Sequence, residues 1–224
     1  MSHLTYLVNE VCAGVEIYFT GRTGGQYFKT AFILCDDYTE LASKLFLRTH
    51  DRRWSDRRGT GAWKSYRDVQ AEVQAAFAVA HPADLPKLRE LHERMQTRRE
   101  RRNQFFHSTH LLDLITHPRE CIDAFCDLFD YGTILFPTQW EREVEAARDL
   151  GTYEVLLRLE RLAFSDTSIT SKVQRILAAW PRTISKAARR GSEVASYPED
   201  LHLRLCVTYG RRTLRDKLRV LLTS

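Results

Sequence analysis

Leu4-Thr5-Tyr6-Leu7-Val8-Asn9-Glu10-Val11-Cys12-Ala13-Gly14-Val15-Glu16-Ile17-Tyr18-Phe19 decides the fold class. Its apolar positions Leu4, Leu7, Val8, Val11, Cys12, Val15, Tyr18 and Phe19 recur at steps of three and four, which lines them along one face of an α-helix. A half-buried strand would need steps of two. The same helical pattern continues outward. Further helices are expected over about residues 27–48, apolar on several sides and therefore central, and over 65–80. Another is expected from Asp84, with Pro86 tolerated in its first turn, to about Thr116, just before His117-Pro118. Beyond Pro118 the pattern resumes over 121–136, 140–150, 153–164, 171–180 and 201–222. No alternating β-branched run intervenes, and the 224 residues hold only 10 Gly and 6 Pro. No repeat of fixed period is present. The expected architecture is all-α: a helical bundle over residues 1–136, with a helical C-terminal extension over 137–224 packed on it.

Hydrophobic residues at 43% and charged residues at 28% describe a globular chain and exclude a disordered one. Lys+Arg is 34 against Asp+Glu 29, and 27 of the 34 are Arg. A guanidinium offers a planar fork of donors that matches phosphate, so this balance points towards an anionic partner, nucleic acid first; a solvated basic surface is the plainer alternative. The five cysteines fit no metal module, and Cys12 and Cys35 sit among apolar residues as small hydrophobes do. Cys121 and Cys126, five apart, read as core packing. Free thiols, no leader pattern and no apolar run near ~18 residues make the cytoplasm the expected compartment, with no membrane partner.

Chemistry concentrates in Arg98-Arg99-Glu100-Arg101-Arg102-Asn103-Gln104-Phe105-Phe106-His107-Ser108-Thr109-His110. Histidine can take and give a proton near neutral pH. Arginine can neutralise a phosphodiester and the charge that develops on it. Asparagine can orient an imidazole or bind a phosphate oxygen. Cleavage of RNA needs little more, because the substrate's own 2′-hydroxyl is the nucleophile, and no metal or other cofactor is then expected. On a regular helix Asn103 and His107 share a face, whereas Arg102 and His107 stand about 140° apart. Either the backbone is irregular here or a second protomer completes the site across a two-fold axis.

Arg102-Asn103-Gln104-Phe105-Phe106-His107 resembles the signature of the HEPN superfamily: Arg, a polar residue, three further residues, then His. The resemblance covers those six residues directly, together with the helical character of about the first 136. It implies a HEPN-like helical bundle that dimerises and a metal-independent ribonuclease. Such proteins serve toxin–antitoxin, abortive-infection and CRISPR-linked defence, so an antitoxin or regulatory partner is implied as well. Arg102 and His107 take the catalytic roles and Asn103 the supporting one. In a chain with 27 Arg and 8 His the Arg–His spacing alone is common, and Asn103 with the helical context supplies most of the specificity.

Arg98, Arg99, Arg101 and His110 flank the motif and are expected to contact RNA. Arg52, Arg53, Arg57 and Arg58, a basic loop carrying Trp54 and followed by Trp63, suit unpaired bases and phosphates. The competing readings are weaker. His107, His110 and His117 with Asp113 lack the spacing of a helical metal site. The glycines from Gly21 to Gly25 lack the ending of a phosphate-binding loop and read as a turn. Arg211, Arg212, Arg215 and Arg219 read as a solvated stripe. From another functional class, a catalytically silent helical module that binds RNA or a partner protein is the alternative.

Overall fold

A computed structural model describes residues 2–21, 27–107 and 118–147, together with 150, 151, 153, 154, 157, 158 and 161; for 19–21, 105–107 and 118 it describes the backbone alone. Six α-helices follow one another in these residues: α1 (His3–Gly21), α2 (Phe28–His50), α3 (Tyr66–Ala80), α4 (Leu85–His107), α5 (Pro118–Leu135) and α6 (Pro137–Ala146). The all-α expectation holds: the described residues contain no strand, only one isolated bridge between Arg57 and Trp63.

Local chemistry explains the boundaries. α3 opens on a capping box: the Asp68 N–H donates to Ser65 Oγ at 3.2 Å, and the Ser65 N–H donates to Asp68 Oδ2 at 2.8 Å. It closes at His81, because Pro82 cannot continue it. A 3-10 turn, Pro82–Asp84, leads into α4. Pro118 and Pro137 open α5 and α6, where a missing N–H costs nothing. The basic loop between α2 and α3 is tied by Arg58 N–H donating to the Ala62 carbonyl at 2.7 Å, and Gly61 takes the positive φ of 83° that the turn needs.

α2 touches α1, α3, α4 and α5 and is the middle of the bundle. Its Ala31, Phe32, Cys35, Ala42 and Phe46 join Val11, Phe77, Leu88, Phe125 and Phe129 in one core. That core runs without a break across position 136: Trp140 of α6, 2% exposed, lies on α5 at Gly132, where a Cβ would stand 2.3 Å from the indole. Leu150 and Leu157 are buried in the same cluster. The extension expected beyond residue 161, with its helices at 171–180 and 201–222 and Arg211, Arg212, Arg215 and Arg219, lies outside the described residues. So do residues 22–25 of the glycine-rich turn, whose Gly21 is the last residue of α1, and residues 108–117.

A polar chain crosses this core. Gln74 Nε2 donates to His92 Nδ1 at 2.9 Å, so His92 carries its proton on Nε2 and offers it to Tyr131 Oη at 3.2 Å. Tyr131 Oη lies 2.8 Å from Ser43 Oγ, which donates to the Thr39 carbonyl at 2.9 Å. Burial pushes the His92 imidazole down to about 4, so it is neutral at pH 7. Directional bonds of this kind fix how α2, α3, α4 and α5 sit against one another. No helix among the described residues is long and apolar enough to cross a membrane.

Candidate active site

α4 turns Leu88, Leu91 and Met95 into the core. At steps of three and four the next inward positions fall on Arg98, Arg99 and Arg102, whose side chains are only 17%, 18% and 21% exposed. A buried guanidinium must meet carboxylates. Two helices supply them. On one side Arg98 Nη1 reaches Asp127 Oδ2 of α5 at 2.7 Å, beside Arg94 Nε at 2.9 Å. On the other, α2 presents Asp36, Asp37 and Glu40. Arg99 binds Asp36 at 3.1 Å and Glu40 at 2.7 Å; Arg102 Nη2 donates to Asp37 Oδ1 at 2.9 Å and its Nε lies 3.6 Å from Asp36. The Arg99 guanidinium also stacks 4.2 Å above the Tyr66 ring.

Burial pushes the Asp36 carboxyl up to about 6; the charges of Arg99 and Arg102 oppose that rise and those of Asp37 and Glu40 add to it. Glu40 is held below its usual value: burial would raise it, but the Lys44 hydrogen bond and the Arg99 charge outweigh burial. The cluster thus contains one carboxylate poised near neutral pH, in contact with the arginine of the motif. A cavity of about 10 Å³, the size of one water molecule, adjoins Asp36, Thr39 and Arg98.

The residues expected to act together are partly assembled. Asn103 is exposed, and Arg102 Nη1 approaches its Oδ1 at 3.5 Å. α4 remains α-helical throughout Leu85–His107, so an irregular backbone does not bring Arg102 and His107 together. Their positions stay about 140° apart around one axis. The His107 side chain and all of His110 lie outside the described residues. Arg98 is committed to Asp127. Arg101 faces Glu120 at 3.7 Å and Gln104 at 3.4 Å. In the basic loop, Arg57 stacks 4.3 Å from the Trp63 ring and Arg58 pairs with Asp68, while Arg52 and Arg53 are exposed.

Asp36, Asp37 and Glu40 escaped the sequence reading. Their signal was visible: two adjacent carboxylates directly after Phe32-Ile33-Leu34-Cys35, in a helix read as central. Among the described residues no three His, Cys, Asp or Glu side chains are placed to hold a metal ion. Compared with protein-family models, with curated proteins and with solved structures, the chain matches nothing.

Proposed function

We propose that this chain is a metal-independent RNA endonuclease of the HEPN type, acting as a homodimer with Arg102, Asn103 and His107 as its catalytic set. The observation that carries the reading is Arg102. Its guanidinium is not a free surface charge but sits at a core-facing position, braced by Asp36 and Asp37, with exposed Asn103 beside it. A guanidinium fixed before substrate arrives costs little to organise around developing phosphate charge. With α4 regular through His107, two copies meeting about a two-fold axis supply the arrangement one copy lacks.

The substrate's 2′-hydroxyl attacks the adjacent phosphorus while one His107 takes its proton. The 5′-oxygen leaves with a proton from the second His107. Arg102 neutralises the non-bridging oxygens and Asn103 orients. The products are a 2′,3′-cyclic phosphate and a 5′-hydroxyl. Asp36 and Asp37 are positioning residues. In a toxin or anti-phage defence effector, such an activity requires restraint by an antitoxin or a trigger.

The second reading rests on the same carboxylates. If Asp36 and Asp37 saturate Arg102, it is an internal brace and the chain is a silent module that binds RNA or a protein. One experiment separates the two. Labelled single-stranded RNA is incubated with the protein in EDTA. Wild type is expected to leave cyclic-phosphate ends, and Arg102→Ala and His107→Ala each to cleave at least about 100-fold more slowly. Co-expression of the two variants is expected not to restore cleavage, because a mixed dimer carries a single His107 where the reaction uses two. A wild type that cuts nothing in EDTA overturns the endonuclease reading.

A further inference from the structure

A groove of about 750 Å³ opens at the far end of α2, between α1 and the basic loop. Leu41, Lys44 and Arg48 line it from α2, Tyr6 from α1, and Arg52 and Trp54 from the loop. Asp37, Leu41, Lys44 and Arg48 follow at steps of four, three and four, so they lie along one face of α2. Asp37 is the residue that holds Arg102. One helix face therefore leads from the candidate active site into the groove, over about 16 Å.

The chemistry of the groove is selective. Lys44 is held by Glu40 at 2.8 Å and lies 3.9 Å from Asp56, which offsets that stretch. Arg48 and Arg52 have no ion pair among the described residues and are exposed, leaving two guanidinium charges in excess. Tyr6 and Leu41 are 57% and 45% exposed, unusual for large side chains facing a concave surface. Trp54 forms a fixed wall: its Nε1 donates to Glu72 at 2.6 Å and the Lys64 ammonium sits 4.9 Å from its ring. Free guanidinium groups beside an exposed aromatic ring are what an unpaired nucleic-acid strand requires, phosphates on the first and a base face on the second. Leu7, Leu41 and Leu45 supply apolar wall between these charges; the two uncompensated guanidinium groups favour a polyanionic strand over a protein partner, whose interface centres are depleted of charge.

We infer that this groove binds single-stranded RNA, with Arg48 and Arg52 on its phosphates and Tyr6 stacked on a base, and that α2 guides the strand to Arg102. The last clause rests on the proposed endonuclease reading; the binding site does not.

Binding of a fluorescein-labelled 12-nucleotide oligo(U) is followed by anisotropy across a salt series, with the full chain and every variant carrying His107→Ala so that the probe stays intact. The Arg48→Ala/Arg52→Ala double variant is expected to bind at least tenfold more weakly and to flatten the log–log salt slope by about 1.4, since each lost phosphate contact removes about 0.7 for a single strand. Tyr6→Ala is expected to lose roughly tenfold and Tyr6→Phe to recover it. All three side chains are exposed, so unchanged thermal midpoints are expected. A self-complementary duplex is expected to bind at least tenfold more weakly than the single strand. Variants that bind as the His107→Ala parent, or a duplex that binds as well as the strand, overturn the inference. Groove-dependent binding beside a wild type that cuts no RNA would instead remove the endonuclease reading and leave the groove assignment standing.

Discussion

Asp127 and Asp36 are sunk to nearly the same depth, their side chains 0% and 4% exposed, and respond to burial in opposite directions. Both face arginines of α4. At Asp127, burial alone would raise the carboxyl; hydrogen bonds from Arg94 and Arg98 and their charges outweigh it and hold the group below the usual carboxylate value. Arg161 adds a third guanidinium at 3.5 Å. At Asp36 two arginines are shared among three carboxylates, and the group rises to about 6. Depth does not decide the outcome; the local ratio of cations to anions does. Asp127 is a permanent charge that fastens α4 to α5. Asp36 can change its proton near neutral pH, and it is the one that touches the motif arginine.

Removing the two carboxylates one at a time separates their roles. Asp127→Ala leaves Arg98 buried beside no counter-charge and is expected to cost about 3–5 kcal/mol in urea unfolding at pH 7. A loss below about 1 kcal/mol would mean that Asp127 is not the anchor described.

Acid sensitivity gives the next largest effect. His92 has a folded value near 4 against about 6.5 unfolded, so its contribution is complete above pH 6.5 and is lost as pH falls towards 4. Asp36 has a folded value near 6 against about 3.8 unfolded, so its contribution is complete below pH 3.8 and is lost as pH rises through 6. Between pH 6 and 4.5 the two slopes oppose one another. Asp36→Asn removes one of them, and stability is expected to fall about 1.5 kcal/mol further than wild type over that interval. Parallel curves for the two proteins would show that Asp36 does not take up a proton there.

At pH 7 the same Asp36→Asn change is expected to shift unfolding by less than about 1 kcal/mol, because an amide keeps an acceptor for Arg99 while Glu40 and Asp37 remain. Under the proposed endonuclease reading its effect is expected in RNA cleavage, through the seating of Arg102. Equal stability losses for the two aspartates at pH 7 would erase the distinction between anchor and poised group.

Sequence periodicity captured the helices because their causes are local. The face from Leu4 to Phe19, the Ser65–Asp68 capping box and the stop before Pro82 each lie within a few residues of the element they define. The fate of the arginine run was not local. Arg99 meets Asp36 at a separation of 63 residues and Arg98 meets Asp127 at 29, so a stretch that reads as a basic surface is largely drawn inward by acids elsewhere in the chain. The chain through His92 was hidden for the same reason: its members lie on four helices, and none is unusual in its own neighbourhood. The motif was legible as residue types in order, while the carboxylates that seat Arg102 came only with the packing of α2 on α4.

The contact of Gly132 with Trp140 has a consequence for any attempt to shorten the chain. The indole fills a slot that exists because position 132 has no side chain, with Phe129 edge-on to the indole at 6.5 Å between centroids. A cut after Phe136 would discard the indole and keep the slot, leaving an apolar seat open to the side chains of neighbouring molecules. Such a fragment is expected to associate further than the longer chain does. One absent methyl group thereby sets how little of this polypeptide can be left alone in water.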